Sequence, residues 1–297
     1  MNAFEYFTPQ TAKEASQLLK KHPDAMILAG GTDLLVRMKF RVYRPSVIID
    51  VKRLPKAEEI SFSTKTGLLL GPAVSMRQIE RSAIVLDRYP ALAQGAAFIG
   101  SVQIRNRATV VGNICNAAPS ADTAPGVIVH AGKVNIFGPN GRRSILVENF
   151  IKGPGQRDLK RGEFVVGIQI PTPPPRTGSA YVRHTPRFAM DIAVVGVGAS
   201  LTLVPRHNVC SEVKIVLGAV APVPMRATAA ESLLRGQELT PALIDEAAEA
   251  AAAEAKPISD VRASGDFRRE LVRVLTQRIV SAAAVNARTP ITKRRAA

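Results

Sequence analysis

An apolar run that ends on two adjacent glycines constrains this chain more than any other feature. Ala25-Met26-Ile27-Leu28-Ala29 reads as a buried strand; Gly30-Gly31-Thr32-Asp33 follows at once, before a new apolar pair, Leu34-Leu35. Paired glycines let a backbone turn sharply, adopt positive φ and approach a ligand with no Cβ in the way. Successive free N–H groups in such a turn form a concavity suited to anionic oxygens, such as those of a diphosphate. A plain strand-ending turn is the simpler account of a lone Gly-Gly.

A second stretch changes that balance. Thr109-Val110-Val111-Gly112-Asn113-Ile114 is again a short apolar run broken by glycine, and Cys115 to Pro125 then carries many small polar groups. Together AGGTDLL and TVVGNICNAAPSAD resemble the two FAD-contacting segments of the flavoprotein subunits of molybdenum hydroxylases. That family includes the xanthine dehydrogenase flavin domain and the medium subunit of aerobic carbon monoxide dehydrogenase. Its second segment usually reads T-x-G-G-N-I, and Val111 here replaces the first glycine. Arg187-Phe188-Ala189-Met190-Asp191-Ile192-Ala193 is similar to the family's R-x-x-x-D-I-A element, and 218–227 and 259–264 resemble its C-terminal signatures. These elements occur in the family's order, so the resemblance spans nearly the whole chain.

The resemblance implies roles. Ile27, Leu28, Ala29, Gly30, Gly31, Thr32, Asp33 and Leu34 would wrap the FAD diphosphate, with free glycine amides and a Thr32 hydroxyl. Asp33 is anionic like the phosphates, which favours a place as cap of the following helix. Thr109, Val110, Val111, Gly112 and Asn113 would form the opposite wall. There Gly112 is expected at positive φ with its amide on the cofactor, and Asn113 offers donors and an acceptor. Asp122 matches a position that accepts from ribityl hydroxyls, with a helix N-cap as the alternative. Ile168 matches an apolar position beside the isoalloxazine, with an ordinary strand core as the alternative. Arg183 stands where relatives often carry Lys near the flavin ring.

The composition is compatible with this reading. The chain has 297 residues, 46% of them apolar, enough for two domains and a substantial core. No apolar run approaches the ~20 residues of a membrane span, and the N-terminus lacks a secretory pattern, so a cytoplasmic location is expected. Cys115 and Cys210 are the only cysteines, too few for an iron–sulfur cluster or structural zinc. His22, His130, His184 and His207 lack metal-ligand spacing. A net charge of +16 admits nucleic acid as a ligand, but the cations are dispersed and not interleaved with aromatics. Attraction to anionic subunits and dinucleotides explains the charge as well.

The expected fold class is α+β. A two-lobed, PCMH-like FAD-binding domain would cover 1–175, with lobes of about 1–57 and 58–175. Thr11 and Glu14 have capping-box spacing, as do Ser75 and Gln78. Gly138-Pro139-Asn140-Gly141 signals a hairpin. The proline-rich run 171–178 marks a boundary. Beyond it, strand-like runs at 180–183, 192–204 and 213–221 precede three helices, which suggests an antiparallel sheet under a helical layer over 178–288, with a basic tail at 289–297.

The resemblance then implies partners. A large molybdopterin subunit would oxidise substrate, and a small subunit with two [2Fe–2S] clusters would relay electrons through FAD to NAD or another acceptor, in a dimer of heterotrimers. The rival readings are a stand-alone flavin oxidase, and a basic assembly or nucleic-acid-binding protein without flavin.

Overall fold

In the computed structural model the described residues are 2–187 and 189–289. The basic tail expected at 289–297 therefore lies outside them except for Thr289, and Phe188 of the R-x-x-x-D-I-A element is outside as well.

The first lobe is a small parallel sheet with two helices. Strand β1 (Glu5–Phe7) leads to helix α1 (Ala12–Lys21), β2 (Met26–Leu28), α2 (Leu34–Lys39) and β3 (Val47–Asp50), in sheet order β1-β3-β2. Every residue of β3 is buried, as a central parallel strand covered on both faces requires. Its Val47 and Ile49 pack with Ala15, Val51 and Leu54. Thr11 caps α1 by accepting from the Glu14 amide at 3.1 Å. Glu14 reaches one residue further back than a capping box demands, to the amide of Gln10. A one-turn 3-10 helix, Val51–Arg53, closes the lobe.

The second lobe begins with hairpin β4 (Ile60–Ser63) and β5 (Gly67–Leu70). A run of short helices follows: α3 (Met76–Arg81), α4 (Ala83–Arg88), α5 (Pro90–Ala97), α6 (Val102–Arg105), α7 (Val110–Asn116) and α8 (Thr123–Ile128). The chain returns through β6 (Lys133–Gly138), β7 (Gly141–Leu146), α9 (Val147–Phe150), β8 (Ile151–Gly153), β9 (Gln156–Arg157) and β10 (Phe164–Ile170). Strands β4-β5-β10-β6-β7 make one antiparallel sheet. The capping box at α3 is complete, with Ser75 and Gln78 serving each other, and β6 and β7 form the expected hairpin.

The C-terminal part is a four-stranded antiparallel sheet under three helices. Strands β11 (Thr177–His184), β12 (Val195–Leu203), β13 (Cys210–Gly218) and β14 (Met225–Arg226) lie side by side in that order. Helices α10 (Thr228–Leu234), α11 (Pro241–Glu254) and α12 (Gly265–Arg288) cover them. Strand β11 starts inside the run read as a spacer, because Thr177 and Gly178 pair with Thr202 and Leu201. Gly178 also lets α12 press onto the sheet, since a Cβ there would lie 2.1 Å from the Ala283 carbonyl oxygen.

Candidate functional site

The loop after β2 and the N-terminal turn of α7 line one cleft of about 1010 Å³ between the two lobes. Two different constraints fix the glycines of the loop. Gly31 has φ +75°, the left-handed region that glycine enters without strain. A Cβ on Gly30 would lie 2.0 Å from the Arg107 carbonyl oxygen, so that residue is held small by the neighbouring lobe rather than by the ligand. The Gly31 carbonyl accepts from the Leu35 amide at 2.9 Å, and the Ala29 carbonyl accepts from Lys52 Nζ at 3.3 Å. Among the described residues, the amides of Gly30, Gly31 and Thr32 donate to no acceptor of the chain. Ile27, Ala29, Thr32, Asp33 and Leu34 also line the cleft.

Asp33 does not cap α2. Its backbone is already helical, at φ −93° and ψ −48°, so the carboxylate makes no cap bond. It accepts instead from Asn116 Nδ2 at 3.3 Å, joining the first lobe to the end of α7.

The opposite wall departs from expectation at Gly112. This glycine lies inside α7, outside the positive-φ region, and its amide donates to the N-cap hydroxyl of Thr109 at 3.0 Å. It cannot also donate fully to a ligand. The cap is the reason: Thr109 stands three residues before Gly112 with extended backbone, as an N-cap does. The helix also explains why Val111 is tolerated where the family has glycine, since no turn has to be made there. The Val110 amide is used by the Val74 carbonyl, whereas that of Val111 has no acceptor among the described residues. Asn113 accepts at Oδ1 from the Thr123 hydroxyl at 2.6 Å, which leaves its Nδ2 as the free end.

Sequence reading missed the charge of this cleft. Arg37, Lys152, Arg157, Lys160 and Arg161 line it. Arg37 is held by the Tyr43 hydroxyl at 2.5 Å. The signal was the cation density of Lys152-Gly153-Pro154-Gly155-Gln156-Arg157-Asp158-Leu159-Lys160-Arg161, which matches no named motif. Free amides, a helix N-terminus and cations together suit a polyanionic ligand. The volume lies at the upper end of the ~300–1,000 Å³ usual for small-molecule sites, as a dinucleotide requires.

Residues 2–173 match the family model of the FAD binding domain in molybdopterin dehydrogenase, and residues 180–283 that of the CO dehydrogenase flavoprotein C-terminal domain. The chain belongs to the FAD-binding subunits of the molybdenum hydroxylase family. It is 33% identical to the xanthine dehydrogenase FAD-binding subunit of Escherichia coli O157:H7, over 94% of this chain and 95% of that one. It is also 33% identical to the carbon monoxide dehydrogenase medium chain of Hydrogenophaga pseudoflava, over 94% and 96%. A solved carbon monoxide dehydrogenase of Hydrogenophaga pseudoflava superimposes with TM-score 0.90 at 32% identity, covering 96% of this chain and 98% of the other. Quinoline 2-oxidoreductase from Pseudomonas putida 86 gives 0.89 at 30%, covering 97% and 99%.

In this flavin subunit the remaining candidates stand away from the cleft lining. Leu28 is half-buried beside Gly31, Val110 is fully buried, and Ile168 is fully buried between Leu70 and Val134 in the sheet. Asp122 and Arg183 come together, as an ion pair of 2.5 Å that is nearly sealed from solvent. Asp122 makes no cap bond to α8, so the N-cap alternative fails. Its other oxygen accepts from the Tyr181 hydroxyl at 2.7 Å, and Arg183 lies 5.1 Å over the Phe98 ring. Burial pushes the Asp122 carboxyl up from its usual range, against the pull of Arg183 and Tyr181. Cys115 does line the cleft; burial pushes its thiol up to about 12, so it is no thiolate at neutral pH.

Proposed function

We propose that this chain is the FAD-holding, electron-transferring subunit of a cytoplasmic molybdenum hydroxylase. In that complex it joins a large molybdopterin subunit and a small subunit with two [2Fe–2S] clusters, in a dimer of heterotrimers. The observation that carries the reading is the cleft between the lobes, where unspent amide donors meet a rim of cations. Bound there, FAD supplies the means to accept electrons from the clusters and deliver them to NAD or another acceptor.

The chain's own residues bind and orient. The amides of Gly30, Gly31 and Thr32 would hold the diphosphate from the first lobe. The Val111 amide, the Thr109 hydroxyl and Asn113 Nδ2 would serve the other side. Arg37, Lys152, Arg157 and Lys160 offset the diphosphate charge and draw the ligand in. Asp33 holds the lobes together through Asn116 and stays off the phosphates. Asp122 and Arg183 brace the wall from behind, and Ile168 packs in the sheet. No side chain need act as acid, base or nucleophile in this role.

The test is cofactor and partner analysis of natively isolated protein. The expected result is about one non-covalent FAD per chain, released by mild acid, in a complex that carries molybdenum and iron. An FMN-only chromophore, or flavin retained after denaturation, would overturn the cofactor assignment. A chain that stays alone yet oxidises a small substrate at full rate would favour the stand-alone oxidase.

A further inference from the structure

Three peptide planes build the donor face of the glycine loop, and two of them are pinned by their carbonyls. The Gly31 carbonyl is held by the Leu35 amide, inside the first turn of α2. The Ala29 carbonyl is held by a side chain from elsewhere, Lys52 Nζ at 3.3 Å. In a trans peptide the C=O and N–H point in opposite directions. Fixing the Ala29 oxygen on the Lys52 side therefore sends the Gly30 N–H to the other side. Without that anchor the plane is free to turn over, because adjacent glycines make either orientation accessible. A flipped plane would replace a donor in the cradle with a carbonyl oxygen that repels an anion.

Lys52 is itself held in place. Its Nζ pairs with Asp50 at 2.8 Å, and Asp50 also accepts from the Lys52 amide at 2.9 Å and from the Tyr6 hydroxyl. Burial alone would raise the Asp50 carboxyl, but the bonds from Lys52 and Tyr6 outweigh it and hold it below the usual range. Lys52 is not among the residues that line the cleft; it reaches the loop through the Ala29 carbonyl.

From this geometry we infer that Lys52, oriented by Asp50 and Tyr6, is a positioning residue that locks the Ala29–Gly30 peptide with its N–H toward the anionic part of the cofactor. The inference rests on the flavin reading above. The experiment uses the full-length chain, stripped of flavin and titrated with FAD by fluorescence. Lys52→Met should weaken FAD binding about tenfold, as expected for one misdirected charge-assisted donor. The melting temperature of the flavin-free protein should fall by no more than a few degrees, because Lys52 is partly exposed and Asp50 keeps the Tyr6 hydroxyl and the residue-52 amide. Lys52→Arg, which keeps a cationic donor near the Ala29 oxygen, should restore most of the affinity. Asp50→Asn should fall between wild type and Lys52→Met.

A purely structural lysine would lower the flavin-free melting temperature and leave affinity unchanged, which would overturn the inference. So would Lys52→Met binding FAD within twofold of wild type. Wild-type protein that takes up no FAD would sink the flavin reading itself, a different outcome from a wild type that binds while Lys52→Met binds equally well.

Discussion

The chain is joined at two seams, and they are built on opposite principles. The seam between the lobes is open: backbone touches backbone at Gly30 and Arg107, Asp33 meets Asn116, and the rest is cleft with unspent donors. The seam between the second lobe and the C-terminal sheet is closed. There Tyr181 donates its amide to Gln94 and its hydroxyl to Asp122, Ser179 accepts from the Ala91 amide, and His130 pairs with Ser179 at 2.9 Å. Buried polar groups at the closed seam are matched to one another; the half-buried loop amides at the open seam have no acceptor among the described residues. Substitutions at the closed seam should therefore cost stability, and those at the open seam should cost affinity.

The largest expected effect is at the closed seam. Asp122→Ala leaves Arg183 buried without its partner, and breaking such a pair from one side costs about 3–5 kcal/mol. Urea unfolding should show that loss, while FAD affinity of the folded fraction changes less than about threefold. Asp122→Asn combined with Arg183→Met should recover part of it, since the stranded charge is gone. A change in affinity with no change in stability would place the pair at the flavin after all.

At the open seam the counterpart is Gly30→Ala. Its methyl group would meet a backbone carbonyl that cannot swing aside, so the lobes must part. Overpacking of this kind costs up to about 3 kcal/mol, or roughly a hundredfold in FAD affinity if it falls on the cleft. Fluorescence titration measures it. Unchanged affinity would mean that the spacing of the lobes does not control the site.

Acid should separate the seams further. Burial pushes the His130 imidazole down to about 3, whereas in the unfolded chain a histidine titrates near 6.5. Between those values the unfolded state binds the additional proton. Stability from this group is full above about pH 6.5 and is lost progressively as pH falls toward 3. At pH 5 the loss is about 2 kcal/mol. His130→Gln removes that slope, so the wild-type and variant stabilities should converge as the solution is acidified. Parallel curves would show that His130 is not the group responsible.

How much of this was legible in the sequence follows from how local each feature is. The two glycine segments, the capping box at Ser75, the β6–β7 hairpin and the strands-then-helices order all depend on residues within a few positions of one another. Strand β1 was missed because Glu5-Tyr6-Phe7 carries no alternation long enough to read and is defined by pairing with β3. The Asp122–Arg183 pair spans 61 residues, and nothing near either residue names the other. Lys52 was invisible for the same reason: its partner is the carbonyl of a loop 23 residues earlier. Gly112 is the instructive failure, because its signal was local and was misread. A threonine followed by apolar residues is an N-cap pattern, and the resemblance drew attention to the glycine instead.

That misreading yields the smallest and sharpest test. Were Gly112 the bare cradle that its segment suggests, any side chain there would block the cofactor. In the structure a Cβ at this position meets only the Thr109 hydroxyl, at 2.8 Å. Gly112→Ala should therefore disturb the cap, a loss of about 1 kcal/mol. It gains about the same from replacing glycine inside a helix. The two effects nearly cancel, so stability should move by less than about 0.5 kcal/mol and FAD affinity by less than about threefold. Thr109→Val, which removes the cap without the compensating gain, should lose about 1 kcal/mol and bind FAD more weakly than Gly112→Ala. Measuring both variants in one titration series decides the matter. A drop of a hundredfold for Gly112→Ala would restore the glycine as a contact, whereas a larger effect at Thr109 assigns this wall of the cleft to the Thr109 hydroxyl and the helix end it caps, not to the glycine.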